Sequence, residues 1–209
     1  MKIPLRYQLS EYDCGPTTML NAIGYLFDRE TVPPEVIRNI MLYSLDCYNK
    51  EGAPGRKGTS CAAMMFLSHW LDGLGETPAL PVKSEYVSGA AVHLGEGAIS
   101  RALALGGVAV LRLYYDVEHY VLLTGIRDGY AYLFDPYYLN ASMQKELEAA
   151  GVEVQQEHLQ GWNRRAPLTL FHQEGQGIYA LGPKERREAV LLFNRQTMLT
   201  ADKTIEYFI

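Results

Sequence analysis

No stretch of the 209 residues approaches the run of about eighteen apolar residues that a membrane span requires. The opening Met1-Lys2-Ile3-Pro4-Leu5-Arg6 lacks the apolar core of a signal peptide. With neither feature, the chain reads as a cytoplasmic protein. Clustered basic charge is missing too. The net charge is −5 and the Lys and Arg residues are scattered, which argues against a nucleic-acid partner. The densest basic group, Lys184, Arg186 and Arg187, is interleaved with Glu185 and Glu188 and reads as a solvated face. Cysteine is scarce: Cys14, Cys47 and Cys61 form no CxxC pair and cannot all pair with one another. A Cys47–Cys61 bridge is conceivable, but a reducing compartment favours free thiols. No His/Cys cluster has the spacing of metal ligands, so neither a metal nor a cofactor is expected. Internal repeats and low-complexity linkers are absent, and at 48% hydrophobic residues the chain can bury one sizeable core. Residues 1–209 are therefore expected to form a single α+β domain, helical over about 1–105 and rich in sheet over about 106–209.

The first half carries helical periodicity. Met19, Ala22, Ile23, Leu26 and Phe27 recur on one face of a helix over about 15–27. A second helix begins near Pro33-Pro34, with Val36, Ile37, Ile40, Met41 and Leu45 as its apolar face. Gly52, Pro54, Gly55 and Gly58 mark a loop over 46–59. A third helix runs from a cap at Ser60 through Met64, Met65, Leu67, Trp70 and Leu71 to Gly73. Residues 74–95 read as irregular, with one short extended piece near Leu80-Pro81-Val82. A short helix over about 96–105 stops at Gly106-Gly107. The pattern then changes to strands over 108–114, 119–126 and 130–135, with a helix over about 142–150 beyond them. Residues 177–181, 188–193 and 204–209 look like further strands.

Chemistry concentrates where the first helix begins. Cys14 stands directly before the apolar face, with Pro16 suited to the first turn. A cysteine at a helix N-terminus meets free N–H groups and the positive end of the helix dipole, which favour a thiolate. Gln8, six residues earlier, can offer an amide N–H₂ to the same point as an oxyanion donor. A thiol nucleophile needs a base, and the histidines are 69, 93, 119, 158 and 172. His119 is the candidate, because it opens a strand beside the apolar run Tyr120 to Leu123. His69 stands beside Trp70 on the third helix and reads as a structural or surface residue. Asp135, followed by Pro136, can orient the imidazole and fix its tautomer. A two-residue Asp128-Gly129 turn would place His119 and Asp135 on opposite faces of the sheet. The loop Arg127-Asp128-Gly129 with a bulge at Gly129 pairs Ile126 with Tyr130 instead. Val121 then opposes Asp135, and His119 becomes its diagonal neighbour. The bulged loop is the expected geometry.

Gln8, Cys14-Gly15-Pro16, His119-Tyr120-Val121-Leu122-Leu123-Thr124-Gly125 and Asp135-Pro136, in that order, resemble the papain-like cysteine peptidases, specifically the bacteriocin-processing C39 and C39-like branch. The resemblance covers residues 8–136. It implies a papain-like α+β fold, with a helical lobe packed against an antiparallel sheet and the active site in the cleft between them. Carried over, Cys14 is the nucleophile, His119 the general base and acid, Asp135 the orienting group and Gln8 the oxyanion donor. The implied partner is a peptide or small-protein substrate. The bacteriocin processors are usually fused to transporter segments that these 209 residues do not contain, so a double-glycine leader peptide does not follow from the resemblance.

The implied reaction is acyl transfer through a thioester. Resolution by water makes the protein a peptidase or amidase, and resolution by an amine makes it a transferase. A peptide-binding module that has lost turnover is a third class consistent with the fold.

Overall fold

A computed structural model describes residues 3–155 and 161–200. The elements are α1 (Cys14–Leu26), α2 (Pro34–Ser44), α3 (Cys61–Leu74), β1 (Val82–Ser88), α4 (Ala98–Ala104), β2 (Val108–Tyr115), β3 (Val117–Arg127), β4 (Tyr130–Phe134), α5 (Ala141–Ala149), β5 (Glu153–Val154), β6 (Arg164–Pro167), α6 (Leu168–Phe171) and β7 (Glu188–Asn194). The strands form one seven-stranded sheet in the order β1-β7-β2-β3-β4-β6-β5, with every neighbouring pair antiparallel. The chain is α+β, with helices packed against an antiparallel sheet, the arrangement that the papain-like resemblance implies.

Both faces of the sheet are covered. Met19 and Ile23 of α1, Val36 and Ile40 of α2, and Met64, Leu67 and Leu71 of α3 pack on Val108, Val110, Leu122, Phe134, Val190 and Leu192. On the opposite face, Ile99 of α4, Leu147 of α5 and Phe171 of α6 pack on Leu111, Leu113, Val121, Leu123, Leu133 and Leu191. A sheet buried on both sides reads as continuous apolar runs rather than alternation. That is why β2, β3 and β7 stand out in the sequence. Each leucine so buried stabilises the fold by roughly 1.5–3 kcal/mol relative to exposure.

Helix boundaries fall within two residues of expectation. Ser60 caps α3 as expected, its hydroxyl accepting from Ala63 N. Asn194 of β7 reaches back to the far end of α1, its amide donating to Leu26 O at 3.1 Å. The face assigned to the second helix is corrected: Val36 and Ile40 are fully buried, whereas Ile37 and Met41 are exposed. The cause is the narrow contact of α2, which meets its neighbours along one ridge only.

Two strand assignments change. Residues 82–88, read as irregular apart from a short piece, form β1, which pairs with β7 across more than a hundred residues. Residues 177–181 are not a strand. Tyr179 is left-handed (φ +57°) inside a turn closed by Ala180 N to Gly177 O, with Ala180 buried and Ile178 half-buried rather than paired as a ladder. The expected strand at 204–209 lies outside the described residues, as does His158. The basic group near 184 is only partly a solvated face. Lys184, Glu185 and Arg186 are exposed, but Arg187 and Glu188 are buried. Arg187 donates to Gly182 O, and Glu188 accepts from Tyr86, Tyr120 and Arg112.

The turn after β3 differs from expectation in a way that bears on the site. Arg127 pairs with Tyr130, so the connection is the two-residue Asp128-Gly129 turn, with φ +52° and +80°. Both residues are left-handed, the geometry of a type I′ hairpin. The bulge lies instead within β3, where the register shifts between Leu123 and Gly125. Leu123 pairs with Leu133 and Leu122 with Phe134. Continuing that register opposes Val121 to Asp135. The extra residue moved from the loop to Thr124, whose hydroxyl donates to Tyr132 O at 3.2 Å. His119 and Asp135 therefore share a face, by a different route.

Candidate active site

The turn before Cys14 is organised by Asp13. Its carboxylate accepts from Leu9 N at 3.0 Å, Ser10 N at 2.7 Å and Ser10 Oγ at 2.8 Å. Burial would raise the Asp13 carboxyl, but these donors outweigh it and hold it below its ordinary range. The turn delivers Cys14, 8% exposed, as the first residue of α1. Gly15 permits the approach of the 46–60 loop: a Cβ there would lie 2.3 Å from Thr59 Oγ1. Thr18, one turn on, donates to Tyr120 O at 3.0 Å and fastens α1 to β3 next to His119.

His119 is 5% exposed, and its Nε2 lies 2.7 Å from Asp135 Oδ1. That leaves Nδ1 free of Asp135 and available to the Cys14 thiol, which also acts on the imidazole. Burial alone would push the imidazole down. The charge and hydrogen bond of Asp135, with those of Cys14, outweigh it and raise His119 to about 10. Asp135 is 1% exposed. Burial would raise its carboxyl too, but His119, the Arg164 guanidinium and the Tyr137 N–H hold it below its ordinary range. The structure thus hydrogen-bonds His119 to Asp135 and brings Cys14 close enough to act on the imidazole.

Gln8 is tied into the same region by its backbone, whose N–H donates to Pro136 O at 2.9 Å. Its side chain is engaged locally, Nε2 donating to Ser10 O at 2.8 Å. Tyr12 lines the cleft beside Cys14. Asp13 is spent on the turn, and Tyr120 is buried against Glu188, so neither is a cleft residue. His69 and His172 are exposed and His93 packs against Gly97. Cys47 and Cys61 are free thiols. Burial, then the neighbouring Asp46 carboxylate, pushes the Cys47 thiol up.

Two residues of the site escaped the sequence reading. Asn163 brackets the Asp135 backbone reciprocally, accepting from Asp135 N and donating to Asp135 O, both at 2.8 Å. It replaces a ladder partner directly before β6 begins. Tyr179 donates its O–H to Asp135 Oδ2 at 2.8 Å and is fully buried. Asp135 Oδ1 meanwhile accepts from Tyr137 N at 2.9 Å. Neither Asn163 nor Tyr179 has a linear signal, because both reach Asp135 from 28 and 44 residues away. Replacing Tyr179 with phenylalanine deprives a buried carboxylate oxygen of its donor. The expected loss is about 2 kcal/mol of stability, read as a lowered urea midpoint with unchanged m-value.

A cleft of about 460 Å³ opens at Cys14, walled by Glu11, Tyr12, Arg56, Lys57, Gly58 and the β2–β3 turn. A larger hollow of about 500 Å³ between the N-terminal segment and α2 lies around Ile3, Leu20 and Ile37, away from these groups. Among the described residues, no helix is long and apolar enough to cross a membrane.

No family model matches this sequence, and no curated protein matches it. Among solved structures, the chain is similar to a double glycine motif protease from an AMS/PCAT transporter, crystallised in complex with the leader peptide. The identity is 12% and the TM-score 0.44, over 92% of this chain and 90% of that one.

Proposed function

We propose that this chain is a cysteine peptidase or amidase that cleaves a peptide bond through a thioester on Cys14. The observation that carries the reading is the buried line Cys14, His119 and Asp135. In it the imidazole is held between a thiol and a carboxylate and favoured in its protonated form. Such a pair supplies a nucleophilic sulfur and a proton donor at once. The sulfur attacks the peptide carbonyl, the C–N bond breaks, and His119 gives its proton to the departing amine. Water, deprotonated by His119, then releases the acyl group and restores Cys14. The N–H groups at the start of α1, which lack intrahelical partners, are the expected oxyanion donors, and Gln8 is to add one through its second Nε2 proton. Asp135 acts through His119, fixing the ring so that Nδ1 faces the sulfur.

The test is incubation with a pool of synthetic peptides of varied sequence, read by mass spectrometry with and without added glycinamide. Fragments are expected that vanish in Cys14→Ala. Glycinamide adducts in place of free acids would assign the site to transfer rather than hydrolysis. A pool left intact by a folded wild-type protein would leave a binding module in place of an enzyme. Once a substrate is in hand, Gln8→Ala is expected to lower kcat by about a hundred- to a thousand-fold with little change in KM, since the donor acts on the transition state.

A further inference from the structure

The cleft at Cys14 has a polarity that the catalytic line does not require. One wall is the 46–60 loop, which presents Arg56 and Lys57, and Arg186 closes the far end. The loop is held in shape by its own bonds. Asp46 accepts from Ser60 N at 2.9 Å and from Ser60 Oγ, closing the neck. Asn49 accepts from Glu51 N at 3.1 Å and Ala53 N at 2.8 Å, shaping the arm that leads to the tip. Thr59 rests against Gly15, so the loop is referenced to the residue beside the nucleophile. Among the described residues, Arg56, Lys57 and Arg186 form no ion pair.

The carboxylates that line the cleft are mostly engaged. Glu118 pairs with Arg112 at 2.8 Å, and Glu11 accepts from Tyr137 Oη at 2.9 Å. Asp116, left-handed in the β2–β3 turn, is the one acidic lining residue whose side chain has neither kind of partner among the described residues. Among the described residues, Arg56, Lys57 and Arg186 thus carry three charges without an ion pair, against two carboxylates without one, Glu11 and Asp116, across a cleft of about 460 Å³. Cations in a cleft with low-dielectric walls attract anions more strongly than the same charges on an open surface.

We propose that the Arg56, Lys57 and Arg186 wall makes this site selective for acidic peptides, drawing a carboxylate next to the bond offered to Cys14. The proposal rests on Cys14 being the reacting thiol, and its test separates the two. Cys14 is alkylated with iodoacetate, which is anionic, and with iodoacetamide, its neutral isostere, and the two rates are read by mass spectrometry. The ratio of iodoacetate to iodoacetamide rates normalises out the reactivity of the sulfur.

The expected result is that Arg56→Ala with Lys57→Ala lowers this ratio about fivefold, and that Arg186→Ala lowers it less. Asp116→Asn raises it. Raising the ionic strength from 0.01 to 1 M, which shortens the screening length from about 30 to about 3 Å, abolishes the difference between wild type and the double variant. All four side chains are exposed, so these variants are expected to fold. Rapid iodoacetamide reaction at Cys14 with a ratio unmoved by the double variant would overturn the proposal and leave the peptidase reading standing. Slow reaction with both reagents in wild type would overturn the reading and the proposal together.

Discussion

Replacing His119 with alanine is expected to lower kcat/KM by about ten-thousand-fold or more, the scale on which removal of the base silences triad enzymes. The loss has two parts. The sulfur loses its neighbouring base, and the departing amine loses its proton donor. The pH profile tells them apart. In the wild type, hydrolysis is expected to fall as pH rises through about 10, where His119 gives up its proton and can no longer protonate the leaving group. That limb should be absent from the residual activity of His119→Ala. Alkylation supplies a readout without substrate: Cys14 should react faster than Cys61 in the wild type and lose that advantage in the variant. A variant that keeps both the advantage and the limb would remove His119 from the reaction.

The candidate line was legible because its residues lie where local patterns are strongest. Cys14 precedes an apolar helix face, His119 opens a strand buried on both sides, and Asp135 ends the next strand before a proline. The residues that hold the line in place were not legible. Asn163 and Tyr179 act on Asp135 from distant segments. Neither a side chain substituting for a ladder partner nor a tyrosine with φ +57° leaves a periodic trace. The bulge shows the same limit at short range. Patterning required an odd residue somewhere between His119 and Asp135, since otherwise the two would occupy opposite faces. It could not say where, and the Asp-Gly turn was better satisfied by two left-handed residues, so the irregularity passed to Thr124. β1 was hidden for a third reason. Its polar Lys83, Ser84 and Glu85 dilute the strand signal, and its partner β7 is a hundred residues downstream. Glu188, read as solvated from its charged neighbours, is 2% exposed because Tyr86, Tyr120 and Arg112 converge on it from three other strands.

Replacing Asp135 with alanine is the second large effect, and it reaches stability as well as rate. His119 stays buried but loses the charge and acceptor that overcome its desolvation, so it falls from about 10 towards the neutral form. The sulfur then faces a neutral ring free to take the wrong tautomer, and kcat/KM is expected to drop by about a thousand- to ten-thousand-fold. The stability change has a pH signature. His119 is raised on folding, so its contribution is complete below its unfolded value of about 6.5 and is lost as pH climbs through about 10. Asp135 is depressed on folding, so its contribution is complete above 3.8 and is lost as pH falls towards its folded value. Both are present together between about pH 4 and 6.5. Denaturant unfolding of wild type and Asp135→Ala should therefore differ most in that window, by about 3–5 kcal/mol, the cost of stranding one partner of a buried pair. The difference should shrink on either side. Asparagine at the same position separates charge from geometry. Its Oδ1 can still accept from His119 and Tyr137, while Tyr179 turns its hydroxyl to accept from the amide. Asp135→Asn should then recover part of the rate while keeping the stability loss in the same window. A difference independent of pH would mean that Asp135 serves packing, and that the imidazole is not charged in the folded protein.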